Sequence, residues 1–149
     1  MDFQDIGDDA RRQYIDARAA FEALEAAEAQ AAAVRGGMYW KTVNGVDYLV
    51  RTSTRNAQKS LGPRSPETEA VHAGFVRRKE EAEGRVKDLS EALTRHQRMN
   101  RALFVGRVPT IVIDILDMLN RAGISEHFTV VGTHALYAYE AAAGVRLQS

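Results

Sequence analysis

The sequence contains no cysteine and only three prolines. Without cysteine, the chain has no disulfides, no thiol catalysis and no thiolate zinc site, which suits a reducing compartment. No apolar run reaches the roughly 20 residues that span a bilayer, and the start of the chain lacks the basic and apolar regions of a signal peptide. We therefore expect a cytoplasmic protein with no membrane partner.

The chain also lacks an excess of charge of either sign. Twenty basic and twenty acidic side chains cancel, so no global field draws the protein to nucleic acid or to anionic lipid. Carboxylates are scarce near the C-terminus, where no aspartate follows Asp117 and Glu140 is the only acid after Glu126. The four histidines show no metal-ligand spacing, which argues against a zinc site.

Two long helices are predicted, over residues 9–34 and 66–99. Each has apolar residues at alternating spacings of three and four, which puts one narrow apolar stripe along each helix. Gly36-Gly37 ends the first helix, and Ser65-Pro66 begins the second with a capping hydroxyl and a first-turn proline. The stripes predict that the two helices lie antiparallel against each other.

A β-hairpin is predicted between the long helices. Residues 38–43 and 46–51 are rich in β-forming side chains and flank Asn44-Gly45, a pair that accepts the positive φ angles of a tight hairpin turn. Residues 52–65 are polar and are predicted to form a loop.

The C-terminal segment has a different pattern. We predict a helix over 109–121, a short buried strand over 128–131, a turn at Gly132-Thr133, and a last helix over 134–143 that Gly144 ends. The whole pattern indicates an α+β fold that is mostly helical. The division is a helical hairpin with an inserted β-hairpin over 1–108, followed by a second domain over 109–149.

Four segments resemble a family of bacterial nucleotidyltransferase-like proteins of the polymerase-β-like superfamily. They are Met-Tyr-Trp-Lys at 38–41, Tyr-Leu-Val-Arg at 48–51, Lys-Ser-Leu-Gly-Pro-Arg-Ser-Pro-Glu-Thr-Glu at 59–69, and Val-Val-Gly-Thr-His-Ala-Leu-Tyr-Ala-Tyr-Glu at 130–140. In that superfamily a strand ends in a glycine turn, a helix follows, and the next strand carries two acids that hold two metal ions. Gly132-Thr133 matches the turn, whereas no acid pair follows it.

The resemblance implies that residues 109–149 begin a nucleotidyltransferase-like domain without completing it. The chain is then expected to be the N-terminal part of a protein that transfers a nucleotidyl group from a nucleoside triphosphate to an acceptor hydroxyl. The complete protein would use Mg²⁺. The chain alone would bind none and would be inactive, because the acidic pair is missing.

Four residues are predicted to bind substrate. Gly132 and Thr133 would hold phosphate through main-chain N–H groups at a helix N-terminus, with an ordinary turn capped by threonine as the alternative. Lys59 and Arg64 would neutralise it, since 48–66 contains four basic residues and no acid; the alternative is a solvated loop whose cations pair with helix acids. A second basic group is interpreted as solvated: Arg95, Arg98, Arg101 and Arg107.

Two further functions remain open. The striped helices are equally typical of a non-enzymatic helical interaction module, which could form a homo-oligomer through those helices. The basic residues of 48–66 could instead bind nucleic acid weakly.

Overall fold

The computed structural model describes residues 2–148 and confirms an α+β architecture with helices predominant. The chain forms two compact units. The central unit is Ala20–Leu93, and the terminal unit combines the residues up to Ala19 with those from Thr94. The elements in chain order are β1 (Asp2–Asp5), α1 (Asp8–Ala32), β2 (Gly37–Val43), β3 (Val46–Thr52), β4 (Gln58–Pro63), α2 (Pro66–Ala102), α3 (Thr110–Arg121), a 3-10 turn (Ser125–His127), α4 (Thr133–Ala143) and β5 (Val145–Gln148).

The domain division after residue 108 stays a prediction. Among residues 2–148, no helix combines the length and the apolar character that a membrane crossing requires.

The antiparallel direction of α1 and α2 is visible inside each unit. In the terminal unit, the Gln13 side-chain amide near the start of α1 donates to the main-chain carbonyl of His96, at 3.2 Å, and to the Asn100 side chain, at 2.8 Å, near the end of α2. In the central unit, Lys79 of α2 donates to the carbonyl of Gly36, just after α1, at 2.6 Å. The prediction of two antiparallel long helices is therefore confirmed.

The central unit holds a three-stranded antiparallel sheet in the order β2-β3-β4. Its first turn is the predicted Asn44-Gly45 hairpin, with φ angles of 51° and 78°, because both residues tolerate the left-handed region. The second long helix begins as predicted, since the Ser65 hydroxyl accepts the Thr68 N–H at 3.3 Å.

The prediction of a loop over 52–65 was wrong in part, because β4 lies inside it. Gln58–Pro63 pairs with the free edge of β3, with Arg51 opposite Lys59 and an irregularity between Leu49 and Val50. Gln, Lys, Ser and Gly are weak strand formers, so the local sequence carried no signal. The ladder of the adjacent strand supplies the hydrogen bonds, and a proline is tolerated at such an edge.

The core of the central unit is built from β3, α1 and α2. Leu49 is fully buried, and Val50, Phe75 and Ala27 are each at least 95% buried. The Arg51 guanidinium stacks over the Phe75 ring at 4.6 Å. A polar strand residue therefore covers the edge of this core with its flat face.

The terminal unit joins the two ends of the described chain. β1 pairs antiparallel with β5, with Phe3 opposite Leu147. No local pattern predicts this sheet, because each strand has four residues and the pairing is almost entirely long-range. Gly144 ends α4 in the left-handed conformation, as predicted.

The predicted strand over residues 128–131 was wrong. Phe128 has extended backbone angles, φ −123° and ψ 141°, yet within residues 2–148 the segment pairs with no other strand. Phe128 and Val131 are 56% and 74% exposed rather than buried. β-forming side chains alone do not make a strand, because the main-chain groups need a neighbour to pair with.

Candidate functional site

The Gly132 turn precedes a helix, as the sequence predicts, and it is exposed. Gly132 has φ 74° and ψ −152°, a region that essentially only glycine occupies. No side chain caps α4 at this position, and nothing lies within 4 Å of where a Cβ of residue 132 would be. In the first turn of α4 the Ala135 N–H donates to the Gly132 carbonyl at 3.1 Å, whereas within residues 2–148 the N–H groups of Thr133 and His134 have no partner. These two N–H groups lie at the positive end of the helix dipole.

Thr133 is the first residue of α4 rather than its cap. Within residues 2–148 its hydroxyl makes no hydrogen bond. The alternative of a helix capped by Thr133 is therefore not what the structure shows, and a free hydroxyl stands beside the uncapped N–H groups.

Beyond this turn, α4 carries two aromatic rings and a carboxylate that interact with each other or with Arg107. The rings of His134 and Tyr137 are 6.3 Å apart, and the Arg107 guanidinium lies 5.5 Å from the centre of the Tyr137 ring. Arg107 also donates to the carboxylate of Glu140 at 2.5 Å. Arg107 is exposed, as interpreted, but it also pairs with a buried acid, which that interpretation did not include.

Glu140 links three parts of the terminal unit. Its side chain is 8% exposed, and the same oxygen that accepts from Arg107 also accepts the Leu147 N–H of β5, at 2.8 Å. Burial opposes ionisation, but the Leu147 N–H and the Arg107 guanidinium outweigh it, so the pKa of Glu140 is lowered. The sequence feature that could have indicated a buried role for Glu140 is its position as an isolated acid in an alanine-rich helix.

The described residues do not fit a two-metal site. Among residues 2–148, no group of three or more histidines and acids could hold a metal ion. The strand after α4 carries Arg146 and no carboxylate, while Glu140 is engaged with Arg107. Asp117, on α3, pairs with Arg121 at 2.9 Å.

The other two predicted substrate residues, Lys59 and Arg64, belong to the central unit. Arg64 contacts Glu69 at 2.8 Å and Asp47 at 3.4 Å, and it stacks over Trp40 at 5.0 Å. The hydrogen bonds to Glu69 and Asp47 raise the pKa of Arg64. Its charge is thus opposed by two carboxylates, whereas Lys59 is exposed on β4; a phosphate role for either residue stays a prediction.

The helix α3 has an apolar surface that is almost entirely exposed. None of its residues is buried, and Ile111 and Met118 are both 64% exposed. Most of its polar residues lie along one narrow stripe, at spacings of four, three and four: Thr110, Asp114, Asp117 and Arg121. A helix that is apolar on most of its circumference is normally enclosed on most sides.

Comparison with protein families finds one informative similarity. A family model described as nucleotidyltransferase matches residues 110–149. No curated protein and no solved structure matches the chain. The match begins at the first residue of α3 and includes Gly132 and Thr133, so it supports the nucleotidyltransferase resemblance for that segment.

Proposed function

We propose that residues 110–149 contribute the phosphate-binding part of a nucleotidyltransferase-like protein. The N–H groups in the first turn of α4, with the Thr133 hydroxyl, would bind the triphosphate of a nucleoside triphosphate. The observation that carries the proposal is a glycine-only conformation at an exposed, uncapped helix N-terminus, inside the segment that matches the nucleotidyltransferase family. Such a terminus favours anions through its free N–H groups and its dipole.

The proposal assigns binding, and not catalysis, to the residues described. Transfer of a nucleotidyl group to an acceptor hydroxyl needs Mg²⁺ in the polymerase-β-like superfamily, and residues 2–148 offer no fitting carboxylate cluster. The carboxylates would come from polypeptide outside those residues. We therefore expect the chain alone to bind the triphosphate weakly and to transfer nothing.

The exposed face of α3 fits this proposal. A twelve-residue helix is marginal by itself in water, and its apolar residues need a cover. In the proposed protein, the part of the nucleotidyltransferase domain that carries the carboxylates packs on that face. This would place metal-binding and phosphate-binding groups in one domain.

Amide chemical shifts test the phosphate-binding turn directly. We would titrate the isotopically labelled chain with ATP and with inorganic triphosphate, without Mg²⁺. The largest shifts are expected at the N–H groups of Thr133 and His134, the two first-turn groups of α4 that have no partner within residues 2–148. Gly132→Ala should abolish them, because an alanine there is strained by about 1–3 kcal/mol and the turn would rearrange.

Gly123→Ala is the matched control. Gly123 also has a positive φ, 70°, and nothing lies within 4 Å of its Cβ position, but it follows α3 rather than preceding α4. The control should keep the shifts at the start of α4. Shifts that persist in Gly132→Ala, or that avoid the first turn of α4, would overturn the proposal.

The apolar surface of α3 also favours a second candidate function, a helical protein–protein interaction module. The relevant face is then α3 rather than the long helices. Light scattering separates the candidates: a rise in mass with concentration that Ile111→Asp abolishes, without any triphosphate-dependent shift, would favour the interaction module.

A further inference from the structure

Three cations of the central unit line one open groove. Arg35 follows the end of α1, Arg51 lies on β3, and Lys59 lies on β4. The groove has a volume of about 600 Å³, within the range typical of ligand sites, and none of its lining residues is acidic. We call it the cationic groove.

Two of these cations are neighbours on adjacent strands of the sheet. Arg51 and Lys59 are directly opposite in the β3–β4 register, so their side chains leave the same face of the sheet. Like charges at such positions are destabilising. Functional sites often contain locally destabilising arrangements of this kind, because the residues are placed for binding rather than for stability.

No carboxylate relieves this repulsion. Within residues 2–148, Arg35, Arg51 and Lys59 form no ion pair. Arg51 instead donates to the main-chain carbonyls of Arg35, at 2.6 Å, and Gly37, at 3.0 Å. These hydrogen bonds fix its position without neutralising its charge. Arg64, in contrast, is opposed by Asp47 and Glu69.

We propose that the cationic groove binds phosphate groups. Arg51 supplies a charge that its main-chain hydrogen bonds hold in place, and the exposed Arg35 and Lys59 supply two further charges along the same groove. A phosphate between them would turn the Arg51–Lys59 repulsion into attraction by a shared anion. Single-stranded RNA and a nucleoside triphosphate offer the same phosphate chemistry. This inference is independent of the proposed function, because the groove contains no residue of α4.

Binding of two probes tests the groove at low salt. Anisotropy of a short fluorescent single-stranded RNA measures the first affinity, and titration with ATP measures the second. The double variant Lys59→Gln with Arg35→Gln removes two exposed charges and spares Arg51, which the fold needs. We expect it to weaken binding of at least one probe by about tenfold or more.

A matched control changes the same net charge in the same unit. Lys41→Gln with Arg77→Gln removes two exposed cations that lie outside the groove, and it should keep the affinity nearly unchanged. If RNA is the ligand, the salt slope of its binding should also fall by about 0.7 for each phosphate that the groove variant no longer neutralises.

A third variant separates binding from folding. Lys59→Glu places an acid opposite Arg51, so it should raise the thermal midpoint and still weaken phosphate binding. The proposal is overturned if neither probe binds, or if the groove variant and the control bind both probes equally. Gly132→Ala should leave the affinity of the cationic groove unchanged. This variant therefore distinguishes failure of the groove proposal from failure of the proposal for the Gly132 turn.

Discussion

The central unit buries large apolar side chains, whereas the helix α3 exposes similar ones. Leu49 and Phe75 are 0% and 5% exposed, whereas Ile111 and Met118 of α3 are both 64% exposed. The central unit brings strands and helices together and buries its own core. The α3 helix is also rich in apolar side chains, but no element within residues 2–148 buries them. The comparison shows that apolar character marks a surface for burial without deciding what buries it.

The largest expected difference between the two regions is the response to truncation of an apolar side chain. Leu49→Ala removes a fully buried side chain and should destabilise the protein by about 2–5 kcal/mol. Ile111→Ala, on the exposed face, should change the free energy of unfolding by less than about 0.5 kcal/mol. Urea denaturation followed by circular dichroism measures both. A large loss of stability in Ile111→Ala would mean that α3 is already covered in solution.

The second prediction concerns Glu140, the buried carboxylate on α4. Glu140→Gln weakens the contact with Arg107 but keeps an acceptor for the Leu147 N–H, so we expect a loss of about 1–2 kcal/mol at neutral pH. Since the pKa of Glu140 is lowered in the folded state, its contribution is present above its ordinary value and is lost as pH falls through the lowered pKa.

The stability difference between wild type and Glu140→Gln should therefore shrink below about pH 4.3, the ordinary glutamate value, and stay constant above it. Glu80→Gln, at an exposed helix position, is the control that removes the same charge without removing a buried partner of an arginine. A difference that grows toward acid pH would contradict the assignment of Glu140 as an ionised partner of Arg107.

The third prediction tests backbone conformation at two glycines of the central unit. Gly45→Ala should destabilise the hairpin by about 1 kcal/mol, because alanine is strained at positive φ. Gly84→Ala should instead stabilise the protein by roughly 0.5–1 kcal/mol, since Gly84 lies inside α2. Neither glycine has an atom within 4 Å of its Cβ position, so sterics do not confuse the result. Thermal denaturation measures both, and equal effects from the two substitutions would contradict the conformational explanation.

The smallest expected effect belongs to α3. Asp117→Asn removes a surface ion pair with Arg121 four residues on, which should reduce stability by roughly 0.2–0.5 kcal/mol, and less at high salt. Asp114→Asn changes the same residue type on the same helix, at a position that forms no ion pair within residues 2–148. Identical unfolding free energies for the two variants would show that the pair contributes nothing measurable.

The features predicted correctly depend on a few adjacent residues. Asn44-Gly45 forms its turn, Ser65 caps α2, and Gly144 ends α4, because each acts through its own backbone freedom or a nearby N–H group. The same reasoning placed Gly132 before a helix. The phosphate role of that turn is supported by the family match and stays a proposal that the titration tests.

The features that the sequence did not predict depend on partners that are distant along the chain. β4 is made of weak strand formers and exists because β3 offers an edge. Residues 128–131 are strong strand formers and remain unpaired within the described chain. The link between Arg107 and Glu140 joins two segments 33 residues apart, and neither segment indicates the other.

By itself, the sequence determined where α2 begins, where α4 ends, where the hairpin turns, and which glycine precedes α4, since those outcomes follow from local backbone preferences. Only the tertiary structure decided which strands pair, which acid is buried, and that Arg51 faces Lys59 across the sheet. Pairing and burial depend on register and on long-range contacts, and a shift of one residue in register would send Lys59 to the other face.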